Sequence, residues 1–366
     1  MFFNKIFNFY WKNSPVFWDA FPIPFPIGQF IVQYFKEQGL QHNCILLQWR
    51  GHRRSNCPEV SKESYEKRGY PMKTLSIDIG GTALKAGLVS ESAQIQEFRE
   101  VPTFAGEGAD AVMERVVRLA REFSGYDLLG ISTAGQINPR TGEVILYTDS
   151  IPGYTGSNLK TYFEAALGVP AAVDNDANCM AMGEYAYGAA KGHPDFLSLV
   201  YGTGIGGALV QNGKIYYGSR YSAGEFGHMV THFGGRVCKC GKQGCYEAYA
   251  SASALTRLAE EKTGQALSGR EIMKRLDDPV VDGLFSQWID EVACGLASLI
   301  HIFDPPLVVL GGGILSPPQT IQRIKNRLPH FLRESYQGVP LCQAALGNQA
   351  GMLGAAHLAM NLSNSL

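Results

Sequence analysis

The chain has 366 residues, of which 45% are hydrophobic and 18% are charged, and its formal net charge is −1. This length allows two domains with large cores, and a near-neutral charge excludes the basic surface that general nucleic-acid binding requires. The longest uncharged stretch near the N-terminus, residues 20–35, is broken by prolines and is too short to cross a membrane. The 8 cysteines are clustered rather than spread as a disulfide framework, which is typical of a reducing cytoplasm.

Residues 1–71 differ in composition from the rest of the chain. They are rich in aromatic residues and proline, are basic near residues 50–54, and show neither helical nor strand periodicity. A helix-turn-helix would need two patterned helices joined by a tight turn, and this segment has neither. We therefore expect an extension that is disordered or that precedes a natural start at Met72.

Two similar segments follow, each with a strand, a glycine-rich bend and a second strand. In the first, residues 75–79 and 83–89 flank the bend at 80–82. In the second, residues 197–201 and 208–210 flank the bend at 202–207. Repetition of one pattern predicts two copies of a domain that face each other across a cleft.

Helices and strands alternate after the first bend, which predicts an α/β fold. We expect a small α/β domain at 72–190, completed by a C-terminal helix at 349–366, and a larger α/β domain at 191–348. Apolar spacing predicts helices at 110–124, 158–167, 175–187, 251–262, 279–303 and 350–360.

Glycine bends can bind phosphates, because their backbone N–H groups approach an anion without an intervening Cβ. A single bend is usually only a turn, whereas a duplicated pair, with a third bend at 311–313, favours a nucleotide site. None of these bends has the sequence of a P-loop or of a dinucleotide-binding fingerprint.

Asp176 follows a strand and begins a helix, where α/β proteins commonly place catalytic groups. Its carboxylate suits the base that removes a proton from an acceptor hydroxyl, but an N-cap role explains its position equally well. Asp78 either orients magnesium through water or caps its glycine turn. Asn175, Glu225 and Glu247 either hydrogen-bond adjacent hydroxyls of a polyol or belong to a solvated loop face.

The loop at 225–247 combines acidic, histidine and thiol groups. Cys238, Cys240 and Cys245 are separated by glycines that allow a tight turn, and His228 lies close upstream. A Cys3His set is typical of a closed, structural zinc site. The alternative is three reduced cysteines in a surface loop, which this density of ligands makes less favoured.

From Met72 onward the chain resembles the ROK family of sugar kinases and sugar-responsive repressors. The resemblance lies in DIGGTALK (78–85), NDAN (175–178), GTGIGG (202–207), GEFGH (224–228), CKCGKQGCYE (238–247) and DPPLVVLGGG (304–313). It implies a two-domain actin-like ATPase (ribonuclease H-like) fold, with duplicated βββαβαβα domains on either side of a cleft.

The resemblance also implies roles for particular residues. Asp176 would activate the 6-hydroxyl of a hexose, and its proposed sugar contacts are Gly135, Asn175, Glu225, His228 and Glu247. Structural zinc would be held by His228, Cys238, Cys240 and Cys245. ATP and Mg²⁺ would bind at Asp78, Gly80, Gly81, Thr82, Lys85, Gly202, Thr203, Gly204, Gly206, Gly207, Gly312 and Gly313.

The expected function is therefore ATP-dependent phosphorylation of a hexose, with glucose or N-acetylmannosamine favoured and a β-glucoside or N-acetylglucosamine as alternatives. Members of the family are usually dimers, so the resemblance implies a homodimer. A sugar-responsive repressor or a catalytically silent sugar-binding regulator are the rival functions, and the repressor would require the DNA-binding segment that residues 1–71 do not show.

Overall fold

Two mixed five-stranded sheets organise the chain in the computed structural model, which describes residues 72–147 and 150–363. The predicted N-terminal extension, residues 1–71, lies outside the described residues. The first sheet contains Lys73–Ile79 (β1), Ala83–Ser90 (β2), Ile95–Pro102 (β3), Leu128–Thr133 (β4) and Ala171–Asn175 (β7); between β4 and β7 lies a hairpin of Gln136–Asn138 (β5) and Glu143–Leu146 (β6). The second sheet contains Phe196–Tyr201 (β8), Ile205–Gln211 (β9), Lys214–Ile215 (β10), Val308–Gly311 (β11) and Leu341–Gln343 (β12).

Both sheets have the same topology. Their orders are β3-β2-β1-β4-β7 and β10-β9-β8-β11-β12, so the first, second, third, fourth and fifth strands of each copy occupy equivalent places. In each copy the first two strands are antiparallel and the first, fourth and last strands are parallel. The predicted duplication is confirmed. The edge strand β3, which corresponds to β10 of the second copy, is one that we did not locate in the sequence.

The helices cover the faces of these sheets. Sequence-encoded caps define several ends: Asn158 and Ser251 accept backbone N–H bonds at helix starts, and Ser268 forms a capping box with Glu271. No described helix is both long and apolar enough to cross a membrane. The helices are Ala109–Ala120 (α1), Leu159–Leu167 (α2), Asp176–Tyr187 (α3), Glu247–Ala250 (α4), Ala252–Thr263 (α5), Gly269–Lys274 (α6), Pro279–Phe303 (α7), Pro318–Arg327 (α8) and Ala350–Ser363 (α9).

The two sheets are joined through the last helix of each copy. Helix α3 contacts both sheets, and α9 packs along α3 and against β1, β4 and β7 of the first sheet. Small residues allow this close approach, because an added Cβ at Gly354 would lie 1.7 Å from the carbonyl oxygen of Cys179. A Cβ at Gly183 would lie 2.4 Å from the carbonyl oxygen of Ala350. The backbones of α3 and α9 are therefore in direct contact.

We expect Gly354→Ala to lower the free energy of unfolding by about 3 kcal/mol, because the new methyl group overlaps backbone that cannot move independently of α3. The matched control is Gly283→Ala in α7, where the site is exposed and no atom lies within 4 Å of the added Cβ. That variant should gain about 0.5 to 1 kcal/mol from lower backbone entropy in the unfolded chain. Urea unfolding of both variants checks the pair, and equal stability would contradict the close helix contact.

Candidate active site

The carboxyl ends of the parallel strands β1, β4 and β7 lie side by side. Asp78 is opposite Ser132 in the β1–β4 register, and Ser132 is opposite Asp174 in the β4–β7 register. The Ser132 hydroxyl donates to Asp78 Oδ1 at 2.8 Å, and Lys85 lies opposite Asp78 on β2. Burial raises the pKa of Asp78, while the Ser132 hydrogen bond and the Lys85 charge act against the rise. A carboxylate therefore lies at the end of the strand that leads into the first glycine bend.

Asn175 is the N-cap of α3. Its Oδ1 accepts from the backbone N–H groups of Ala177 (2.9 Å) and Asn178 (3.2 Å), and its Nδ2 donates to the carbonyl oxygen of Gly135 (2.9 Å). The N-cap alternative for Asp176 is therefore not what the structure has, because the preceding residue performs that role. Asp176 is the first residue of the helix, and its carboxylate accepts from Ala177 N at 2.8 Å.

The surroundings of Asp176 raise the pKa of its carboxyl group above the value of an aspartate in water. Burial raises its pKa to about 6, and the negative charges of Asp78 and Glu225 contribute to the rise. A hydrogen bond from Ala177 N acts in the opposite direction. A carboxylate with a pKa near 6 is a stronger proton acceptor than an ordinary one, yet it remains mostly ionised at neutral pH.

Three cavities form a row along the cleft. The first has a volume of about 430 Å³ and is lined by Gly135, Asn175, Asp176, Gly206, Gly207, Glu225 and His228 among the predicted residues. The second, of about 330 Å³, is lined by Asp176, Gly202, Thr203, Gly204, Gly206, Glu225, His228 and Glu247. The third, of about 780 Å³, is lined by Thr203, Gly313 and residues of α5 and α6. Asp176 borders the first two cavities, and Thr203 borders the second and third.

Glu247 lies beside the second glycine bend rather than in the first cavity. Its Oε2 accepts from the backbone N–H of Ile205 at 3.3 Å, and a Cβ at Gly204 would lie 2.4 Å from the same oxygen. Its Oε1 lies 2.9 Å from the sulfur of Cys238. The side chain therefore connects the cysteine loop to the bend at 202–207.

Other predicted residues lie outside these three cavities. Neither Asp78 and Lys85 nor the bend at 80–82 lines any of them. Gly312 is also absent from the linings, and it is closely packed: its φ is +114°, and an added Cβ would lie 2.1 Å from the carbonyl oxygen of Tyr201. Its cofactor contact stays a prediction.

The predicted cysteine and histidine ligands converge on one point. One ligand atom from each of His228, Cys238, Cys240 and Cys245 lies within 4.8 Å of the others. The sulfurs of Cys240 and Cys245 are 3.6 Å apart, close to the roughly 3.8 Å that two thiolates bound tetrahedrally to zinc would have. Nδ1 of His228 lies 3.9 Å from the sulfur of Cys238. The donor set and its spacing fit a four-coordinate zinc ion.

Lys239 and several pocket residues were not predicted. Lys239 stands between two of the cysteine ligands and lines both the first and the second cavity, as Asp176 does. The sequence did contain a signal for this position, because the two predicted zinc ligands Cys238 and Cys240 flank the lysine and would fix its backbone beside the cleft. Tyr147 and Tyr221, which also line the first cavity, belong to loops without a recognisable pattern.

Comparisons with known proteins agree with this arrangement. A sequence model of the ROK family matches residues 74–361. The β-glucoside kinase of Listeria innocua is 36% identical over 292 residues, which cover 78% of this chain and 97% of that protein. The crystal structure of a ROK hexokinase from Thermus thermophilus has a TM-score of 0.71 and 34% identity, and it covers 81% of this chain and 100% of its own.

A ROK glucokinase from Streptomyces griseus, solved in complex with glucose and AMPPNP, has a TM-score of 0.70 and 31% identity over 79% of this chain and 99% of its own. The likeness to these structures extends over both sheets, since each comparison spans about four-fifths of the chain. The predicted two-domain α/β architecture is therefore confirmed.

Proposed function

The chain belongs to the ROK family, and from that premise we propose that it transfers a phosphoryl group from ATP to the 6-hydroxyl of a hexose. The observation that carries the proposal is the position of Asp176, which borders both the first cavity and the cavity of the glycine bend. A carboxylate at this junction can accept the proton of a hydroxyl that lies in one cavity and attacks a phosphate in the other.

The first cavity is the proposed sugar site. Its lining contains Asn175, Glu225 and His228, whose polar atoms suit the adjacent hydroxyls of a hexose. Glucose or N-acetylmannosamine are the favoured acceptors, with a β-glucoside or N-acetylglucosamine as alternatives. The names of the relatives support this range, since they include a β-glucoside kinase and a glucokinase bound to glucose.

The second and third cavities are the proposed ATP site. Backbone N–H groups of the bend at 202–207 suit the phosphates, and Thr203 and Gly313 border the larger cavity, which has room for a nucleoside. Magnesium, when bound, would offset negative charge on the phosphates, and Asp78 is the residue proposed to hold it through water. The bend at 80–82 and Lys85 remain proposed phosphate contacts.

Zinc is proposed as a structural ion at His228, Cys238, Cys240 and Cys245. Four protein ligands leave no open position for water, so the metal would supply no chemistry to the reaction. Its proposed effect is to hold the wall of the cleft that carries Glu225, Lys239 and Glu247. The domain boundaries at 190 and 348, and a homodimeric assembly, also remain proposals.

A pH profile follows from the raised pKa of Asp176. The base must be ionised to accept a proton, so kcat/KM should be constant above about pH 7 and should fall about tenfold per pH unit below about pH 6. Direct detection of ADP between about pH 5 and pH 8, with the folded fraction measured at each pH, checks this. A rate that stays constant through pH 6 would exclude a base with the raised pKa that burial and nearby charges produce.

The decisive experiment is ADP release from the zinc-loaded protein with a panel of sugars. The panel contains glucose, N-acetylmannosamine, N-acetylglucosamine and a β-glucoside, each compared with a 6-deoxy analogue that lacks the acceptor hydroxyl. We expect turnover with at least one hexose and none with its 6-deoxy analogue. Absence of turnover with every sugar would reject the kinase function and favour a sugar-binding regulator.

A further inference from the structure

Asp174 is a buried carboxylate directly before the proposed sugar and base residues. It is 1% exposed, and its two oxygens accept three hydrogen bonds. Oδ1 accepts from Asn175 N at 2.7 Å and from Asn178 Nδ2 at 2.9 Å. These two bonds fix the end of β7 and the first turn of α3, the backbone from which Asp176 projects.

The third donor comes from the other half of the molecule. The Tyr217 hydroxyl donates to Asp174 Oδ2 at 2.6 Å, across 43 residues of sequence. Burial and the Asp174 charge raise the pKa of Tyr217, so its hydroxyl remains a donor. Tyr217 begins a loop, residues 217–225, that is closed at its neck by a bond from Ala223 N to the carbonyl oxygen of Tyr217 at 3.2 Å.

The 217–225 loop forms one side of the first cavity and ends at Glu225. Tyr221, at its tip, has a left-handed backbone with φ of 56°, which is rare for a bulky residue. The Tyr221 hydroxyl accepts a bond from Arg140, whose guanidinium also lies over the Tyr221 ring at 5.7 Å. Arg140 belongs to the β5–β6 turn of the first copy, so that copy holds both the start of the loop, at Tyr217, and its tip, at Tyr221.

We propose that Asp174 and Tyr217 are positioning residues that hold the start of α3, with Asp176, in register with the loop that carries Glu225. The assignment rests on the proposed kinase function. Neither side chain lines any of the three cavities, so both act through their neighbours rather than on the substrate. Their hydrogen bond joins the two halves of the cleft two residues before the base along the chain, and a small displacement there moves the base relative to the bound sugar.

The test removes only the hydroxyl, in Tyr217→Phe. We expect kcat to fall between about tenfold and a hundredfold, because the buried Asp174 oxygen loses its donor and the strand end relaxes. The sugar KM should change less than about threefold, because every side chain that lines the first cavity is kept and the loop that carries Glu225 is still held by Arg140 at its tip and by the Ala223 N bond to the Tyr217 carbonyl. The number of ATP-analogue molecules bound per chain gives the fraction of chains that are folded. Dividing the rate by this fraction distinguishes a lower kcat from a smaller amount of folded protein.

Two further variants test the geometry. In Asp174→Asn, the amide oxygen still accepts from Asn175 N and Asn178 Nδ2, and the amide N–H can donate to the Tyr217 oxygen. This variant should therefore retain kcat within about threefold. Asp174→Ala removes all three bonds and should lose as much kcat as Tyr217→Phe. The matched control is Tyr201→Phe, which removes another buried hydroxyl, one that is bonded to Tyr246 at 2.9 Å rather than to Asp174. We expect that control to keep the wild-type kcat.

The outcomes separate this proposal from the function on which it rests. An active wild-type protein whose Tyr217→Phe variant keeps kcat within twofold overturns the positioning role, as does an equal loss in Tyr201→Phe. A wild-type protein that turns over no sugar overturns the kinase function, and the positioning role falls with it.

Discussion

Replacing Asp176 with asparagine should lower kcat by about a thousandfold or more while leaving sugar binding measurable. The amide has nearly the same shape as the carboxylate, and its oxygen can keep the bond from Ala177 N, but it cannot accept the proton of the 6-hydroxyl. Sugar affinity depends on the other polar groups of the first cavity and should change little. Steady-state ADP release gives kcat, and calorimetric titration gives sugar affinity.

The control for this variant is Asp110→Asn, since Asp110 is an exposed aspartate in the first turn of α1 that lines none of the three cavities. It should keep kcat within twofold. An Asp176→Asn protein that retains more than a tenth of wild-type kcat would remove this residue from the role of base. Loss of sugar binding in the same variant would instead indicate that Asp176 is mainly a sugar contact.

Removal of the metal should disrupt the wall of the cleft. Structural zinc contributes about 10 kcal/mol or more to the folding of small zinc-binding peptides, so a loop that depends on it should unfold locally when the ion is lost. We expect chelation, or Cys245→Ser, to raise the sugar KM at least about tenfold and to lower the melting temperature, because Glu225 and His228 lose their fixed positions. Elemental analysis measures the zinc content, thermal unfolding measures the melting temperature, and steady-state ADP release measures the sugar KM.

Cys294→Ser is the matched control, since Cys294 is a free cysteine that is not part of the ligand cluster. It should keep about one zinc ion per chain and wild-type sugar affinity. If chelation that demonstrably strips the metal changed neither stability nor sugar affinity, the structural role assigned to the cluster would be wrong.

Part of the cleft was predictable because its signals are local. The three cysteines and His228 lie within 18 residues, and glycine at 244 permits the turn, since a Cβ there would lie 1.8 Å from the carbonyl oxygen of His232. The two glycine bends were equally visible, because each follows an apolar strand. Local spacing was sufficient to name these groups, although not to say which cavity each one faces.

Elements with weak local patterns were missed. Strand β3 is exposed at nearly every position and carries three charged residues, so it lacks the alternation that marks a half-buried strand. The β5–β6 hairpin consists of strands of only three and four residues. Yet the turn of that hairpin carries Arg140, which contacts the tip of the 217–225 loop.

The sequence by itself determined the duplicated α/β pattern, the family resemblance, the ligand set of the proposed zinc site and the candidate base, because each depends on residues that are close together along the chain. The tertiary structure alone decided that Asn175 rather than Asp176 caps α3, that Glu247 faces the glycine bend, and that Tyr217 meets Asp174. The choice of N-cap depends on the backbone conformation of Asn175. The other two contacts join residues more than 40 positions apart in the sequence. Such contacts are set by the order of the strands and the packing of α3 and α9, and local spacing contains no information about either.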